Sequence, residues 1–363
     1  MFKIRKQIRN IYAISAFSSF QIAGASWVAL LAMRGFSLVQ IGFAECLFHV
    51  TSLLFEIPSG VISDVFGRKR TMILSQCFFV ISAFLMMMAE STTSVYIALM
   101  LDALGYNFSS GTREALAYDS LKKAELEKEY DKYASTEMMI YRIGNASAML
   151  CAGLALLIGY QKAYGIDMIL GILCLFFSFQ LKEIPANEAA SKQKIEQQIW
   201  ECVRESMLFL IRNGRATWLM FWNAFIGAIA TLLLFFLQAQ LPLEGLPSGL
   251  LGPALFIMGL GGAAGAKLVQ YCSDWKYSKI SAVCISGVVI GFLVVLTKNP
   301  WIMCIGGFVA SLFDDFLQVR SDVLLNTMIP SSQRATLVSV SSFCFSIIMI
   351  VLSPLMGWLF SLL

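Results

Sequence analysis

Eleven long apolar runs fill most of this 363-residue sequence, at roughly 11–33, 38–63, 71–89, 94–120, 136–160, 163–181, 216–240, 250–272, 279–297, 300–328 and 335–361. Crossing the hydrocarbon core of a bilayer takes about 20 mostly apolar residues of helix, so each run reads as a membrane span. Composition agrees: 58% of residues are hydrophobic and only 14% charged, where a soluble domain carries about 25% charged residues. The mean hydropathy is +0.73. A water-soluble fold is excluded, and the fold class is an all-α membrane protein whose first partner is the lipid bilayer. The basic start, Lys3 to Arg9, leads into an apolar run too long for a secretory h-region, so it reads as an uncleaved first helix. Nine scattered cysteines form no Cys-x-x-Cys pair and read as small buried hydrophobes, with no disulfide framework and no metal spacing.

Connections are short except after the fourth and sixth runs. This divides the chain into an N-terminal six-helix bundle over 1–181, a cytoplasmic linker over 182–215 and a C-terminal bundle of five helices over 216–363. In the linker, Ile195, Ile199, Cys202, Val203, Met207 and Leu210 recur at helical spacing, while Lys194, Glu196, Glu201, Arg204 and Glu205 fill the other side. That pattern predicts an amphipathic interfacial helix. Of the 27 Lys and Arg residues, 20 fall in the N-terminus and the even-numbered connections. The opposite loops hold only Arg34, Lys162 and Lys298. The bias puts the N-terminus inside, at the cytoplasmic membrane. Positive loops also account for the basic balance, with no nucleic-acid partner. A faint internal repeat sets Asp274 at the end of the eighth run against Asp64 at the end of the second, and Arg320 and Asp322 against Arg113 and Glu114.

The connection after the second run reads Gly60-x-x-x-Asp64-x-x-Gly67-Arg68-Lys69. This resembles the loop signature of the major facilitator superfamily (MFS), in its place between helices two and three. Glu45 to Gly60, Ser110 to Leu121 and Asn326 to Thr336 look like a bacterial branch of the same superfamily. The resemblance implies two pseudo-symmetric bundles rocking about a midplane site, and a monomer as the working unit. It also implies a gate latch, in which Asp64 and Arg68 cluster with the end of helix four through Asp119. Two departures stand out. The family has twelve helices where about eleven are counted here, the twelfth being absent from this sequence. The fifth run, with Gly144 and Gly153, lacks the Gly-Pro ending of many drug/proton antiporters, and close helix packing is the simpler reading of its glycines.

Ionisable side chains inside a membrane cost about 2.5–3.5 kcal/mol at the bilayer centre and mark cavities or pairs. The tenth run carries Asp314 and Asp315 near its middle, with Gln318 one turn on. The fourth carries a stripe of Asp102, Tyr106, Ser109 and Arg113, with Glu114 beside it. Arg142 in the fifth run offers Glu114 a structural partner. The second carries Glu45, the sole histidine His49, Ser52 and Glu56. That His suits either a proton relay or a packed pair with Glu45. Gln21 and Asn223, with Trp218 and Trp222, complete the candidate lining. No nucleophile constellation, metal cluster, cofactor motif or nucleotide loop is present in the sequence, so an enzyme is not expected.

These features point to a secondary transporter moving a small-molecule solute by alternating access. Proton-coupled efflux of amphipathic compounds is the first reading, since aromatic surroundings with carboxylates suit such ligands. Uptake of a solute is the alternative within transporters, and a non-transporting sensor or transporter remnant the alternative outside them. Cysteine labelling in intact cells is expected to find positions near Arg68 and Lys194 inside, and near Thr92 and Glu244 outside. Labelling of the Lys194 region from outside the cell would sink the topology.

Overall fold

The computed structural model describes residues 3–184, 195–272, 274–329 and 334–362, and among these no strand is present. The helices are α1 Ile4–Ser19, α2 Trp27–Met33, α3 Leu38–Phe66, α4 Arg68–Met88, α5 Thr92–Ser109, α6 Thr112–Lys123, α7 Tyr130–Leu150 and α8 Ala152–Ile158. There follow α9 Tyr160–Phe179, α10 Ile195–Arg212, α11 Gly214–Leu243, α12 Leu251–Leu268, α13 Tyr277–Val295, α14 Pro300–Met328 and α15 Arg334–Ser361.

Nine helices among the described residues are long and apolar enough to cross a membrane, or ten when α7 and α8, bent by 47°, count as one span. The expected count of eleven is therefore not reached. The difference lies in the fourth run. It folds as α5 and α6, separated by Ser110 and Gly111, and α5 carries Asp102, Tyr106 and Asn107 within only 18 residues. Ser110 turns to ψ 131 and Gly111 to φ 71, a left-handed conformation that costs a side chain but not a glycine. The stripe expected from Asp102 to Arg113 consequently stops at Ser109. The first run is also broken: α1 ends at Ser19 and helix resumes through a 3-10 turn at Gly24–Ser26. Pro58, Pro242 and Pro354, by contrast, lie inside unbroken helices.

Local chemistry sets several ends. Asn299 Oδ1 accepts from the amides of Trp301 and Ile302 at 3.1 and 3.3 Å, with Pro300 at the first helical position of α14. Ser91 and Ser94 form a capping box at the start of α5. Gly67 joins α3 to α4 at φ 99, and a Cβ there would meet the Glu183 carboxylate at 2.7 Å.

The chain divides into two compact units. The first comprises Met1–Ala25, Val50–Cys151 and Ile158–Val203; the second comprises Ser26–His49, Ala152–Leu157 and Arg204–Leu363. The core of the first includes Ile11, Ile14, Met72, Leu116, Ala117, Tyr133 and Cys174. The second is built around Ile226, Ile280, Cys284, Val288, Phe316 and Leu317. In the second unit small residues let helices touch backbone to backbone. A Cβ on Gly261 or Gly265 of α12 would overlap the Phe308 or Leu312 carbonyl of α14. One on Gly42 of α3 would overlap the Ser353 carbonyl of α15, and one on Gly357 the Leu38 carbonyl. Gly261 and Gly265 thus serve close helix packing. Within the linker, α10 occupies most of the predicted amphipathic stretch, while Ser191 and Lys194 lie outside the described residues.

Candidate functional site

In the first unit the loop signature gathers charge around one guanidinium. Arg68, at the first position of α4, pairs with Asp119 of α6, donates to the Ala115 carbonyl at 2.7 Å and lies 3.6 Å from Asp64. The Arg68 side chain is 16% exposed and that of Asp64 52%, so Asp119 and the carbonyl hold Arg68 while Asp64 stands at the rim. Lys69 and Arg70 contribute through the backbone, their amides donating to Glu183 at 3.1 and 3.4 Å. Glu183 was not picked out by the sequence reading; it follows the sixth run and looks like an ordinary loop acid. Gly60 has open space where a Cβ would be, so packing does not require a glycine there.

A second cluster sits at the start of α6. Arg113 reaches Glu137 of α7 at 3.1 Å and Glu114 at 3.6 Å, and Ser15 of α1 donates to Glu137 at 3.1 Å. Arg142 is exposed, and Arg113 rather than Arg142 is the cation beside Glu114. Glu137 was missed because it opens the fifth run, where an acid reads as a loop residue. Nearby, Asn107 Nδ2 donates to the Ser52 carbonyl at 2.7 Å and Ser52 Oγ donates back to Asn107 Oδ1 at 2.9 Å, tying α5 to α3. Asp102 is half-buried on α5 and is an electrostatic neighbour of Asp167 on α9. Asp167 was also missed, a lone acid in an otherwise apolar run.

In the second unit His49 is 8% exposed and Glu45 9%. His49 Nε2 lies 3.3 Å from Glu45 and its Nδ1 lies 3.3 Å from Ser346 Oγ of α15. Its ring stands edge to face with Phe345 at 5.7 Å between centroids. The pair with Glu45 leaves one ring nitrogen for Ser346, so the histidine is bonded on both sides. On α14, Asp314 and Asp315 are half-buried and diverge, as neighbours about 100° apart must. A Cβ on Gly227 of α11 would lie 3.5 Å from Asp314 Oδ1 and 3.9 Å from Phe345. One on Gly262 of α12 would overlap the Asp315 carboxylate. Asp314 therefore faces α11 and Asp315 faces α12. Among the described residues Asp314 has no hydrogen bond or ion pair, whereas Asp315 is partnered. Gln318 is exposed, Gln21 and Asn223 are half-buried, and Trp222 stacks on Trp218 and Phe225. Among the described residues no group of three metal-ligating side chains gathers.

The Arg113 cluster carries a stability prediction. The Arg113 and Glu137 side chains are 17% and 10% exposed. Glu137→Gln is expected to lower unfolding stability of the purified protein by about 3 kcal/mol, because it strands a buried cation. Glu114 is 41% exposed, and Glu114→Gln is expected to cost about 1 kcal/mol or less. Equal losses in denaturant melts would show that Arg113 does not depend on Glu137.

The arrangement has known counterparts. A model described as the Major Facilitator Superfamily matches residues 11–300. A protein named "Uncharacterized MFS-type transporter YxaM", from Bacillus subtilis (strain 168), is 20% identical over 323 residues, covering 87% of this chain and 79% of that protein. An "Uncharacterized transporter" of Buchnera aphidicola subsp. Schizaphis graminum is 26% identical over 165 residues, 45% of this chain and 41% of that one. The solved nucleoside transporter NupG superposes with a TM-score of 0.78 at 14% identity, over 98% of this chain and 91% of its own. The inward-open xylose transporter XylE from E. coli gives 0.61 at 13% identity, over 99% and 94%. A D-xylose-proton symporter gives 0.66 at 11% identity, over 97% and 88%. The structural likenesses carry the fold, the sequence match carries the family, and this multi-pass membrane protein belongs to the Major Facilitator Superfamily of transporters.

Proposed function

We propose that the chain moves a small amphipathic organic solute across the cytoplasmic membrane by alternating access, N-terminus inside and as a monomer, with proton movement coupled through Asp314. The observation that carries this reading is Asp314 itself. It stands at the midpoint of the 29-residue helix α14, half-buried, with no hydrogen bond or ion pair among the described residues. A carboxylate left so within a span has high electrostatic cost unless it meets water, a cation or a proton. Gly227 opposite it keeps the approach free of a side chain. Asp315, partnered and turned to α12, supports the site rather than carrying the load. Asp102, Arg113 and Glu114 in the first unit, and Gln318, Gln21 and Asn223, remain candidate contacts for the solute. Glu45 and His49 are candidates to relay the proton, and Arg142 stays at the margin.

Outward transport is the first reading of direction. Uptake by symport is the second, favoured by the missing Gly-Pro ending in the fifth run and by the titles of two similar structures, a nucleoside transporter and a D-xylose-proton symporter. Everted and right-side-out vesicles loaded with panels of labelled amines, sugars and nucleosides separate the two. Proton-driven accumulation in everted vesicles marks efflux, and in right-side-out vesicles uptake. In whichever vesicle is active, Asp314→Asn is expected to abolish pH-driven flux while leaving solute exchange. The double substitution with Asp315→Asn is expected to be at least as damaging. Full pH-driven flux in the double variant would move coupling to α3 or α5, or remove it.

The Arg68 cluster is the proposed latch on the cytoplasmic side, formed from Gly60, Asp64, Gly67, Arg68, Lys69 and Asp119. Arg68 ties α4 to α6 through Asp119 and the Ala115 carbonyl, with Asp64 of α3 alongside. Asp64→Asn is expected to leave a folded, inserted protein whose transport collapses and whose cytoplasmic cysteine accessibility changes. Wild-type transport by this variant would refute the latch.

A further inference from the structure

The first span breaks inside the membrane, and the break is held by a side chain from another helix. Between α1 and the turn at Gly24–Ser26 the chain is unwound over residues 20–23. Backbone amides and carbonyls freed at such depth must be met by protein or line a wet cavity. Here they are met. Asp167 of α9, 4% exposed, accepts from the Ile22 amide at 2.8 Å through Oδ1 and from the Gly24 amide at 2.9 Å through Oδ2. The Ala23 amide also acts on this carboxylate. On the carbonyl side, Ser19 Oγ donates to Ala16 O at 3.2 Å. The Ala25 amide donates to Gln21 O at 3.0 Å, restarting the helix.

Gln21 lies in the unwound stretch: a Cβ on Gly24 would sit 3.2 Å from both Gln21 Cβ and Oε1, and 3.9 Å from Asp167 Oδ2. Gln21, Gly24 and Asp167 thus share one corner. The charged group facing them from a neighbouring element is Asp102 of α5.

We infer that Asp167 is a positioning residue for transport: its carboxylate holds the first span unwound over residues 20–23 and fixes Gln21 within that stretch. This rests on the transporter reading. Its amide-exchange test needs no solute, so its failure is distinct from failure of the vesicle assays. In hydrogen–deuterium exchange on the purified full chain in nanodiscs, the amides of Ile22 and Gly24 are expected to be as protected as those of α9, although they lie outside helix. Asp167→Asn and Asp167→Ala are expected to speed their exchange about tenfold, through loss of charge-assisted bonds, with α13 and α14 unchanged. Asp167→Glu is expected to restore part of the protection, a rescue that loss of packing alone does not give. In membranes, Gln21→Cys is expected to react faster with a water-soluble maleimide in combination with Asp167→Ala than alone. Should these variants fail to fold, the wild-type exchange decides alone. Rapid exchange at Ile22 and Gly24 in the wild type, or unchanged protection in Asp167→Ala, would overturn the assignment.

Discussion

Within the bilayer core there is no water to satisfy a polar group, so each one inside this chain must find a protein partner or a wet path. That constraint orders the structure. It explains why the break in the first span comes with Asp167 on the Ile22 and Gly24 amides. It explains why Arg113 is wedged beside Glu137, itself held by Ser15, and why His49 is bonded on both ring nitrogens. Against that background Asp314, a carboxylate with no hydrogen bond or ion pair among the described residues, is where function is most economically placed.

The outline of the fold was legible because hydrophobic run length is set by membrane thickness, and the loop signature because its residues do separate physical jobs. Gly67 turns with positive φ, Arg68 binds Asp119, and Lys69 offers its backbone amide to Glu183. The breaks were not legible. Residues 20–23 read Phe-Gln-Ile-Ala and carry no proline, while Pro58 and Pro354 lie in helices that continue. What unwinds the first span is an acid far away in sequence, and run-by-run reading has no access to it. The fourth run failed for a related reason. Its spacing matched one helical face, yet Gly111 takes a left-handed conformation and restarts the helix. Glu137 and Asp167 were hidden as single acids, one near a loop and one in an apolar run. Their importance comes from partners brought from other helices.

Divergence of the adjacent aspartates shows how glycine shapes chemistry here. Gly227 and Gly262 sit opposite Asp314 and Asp315, so two helices leave room for two carboxylates on different faces of α14. Phe345 lies near both Gly227 and His49, placing the histidine and Asp314 around one aromatic ring within the second unit.

The central claim is that solute movement through this protein is coupled to proton movement. Its most direct measurement is proton stoichiometry in proteoliposomes carrying a pH-sensitive dye, with solute added and no gradient imposed. The account predicts that a transported solute shifts lumenal pH in fixed proportion to the solute moved. Solute movement in the wild-type protein with no change in lumenal pH would contradict it.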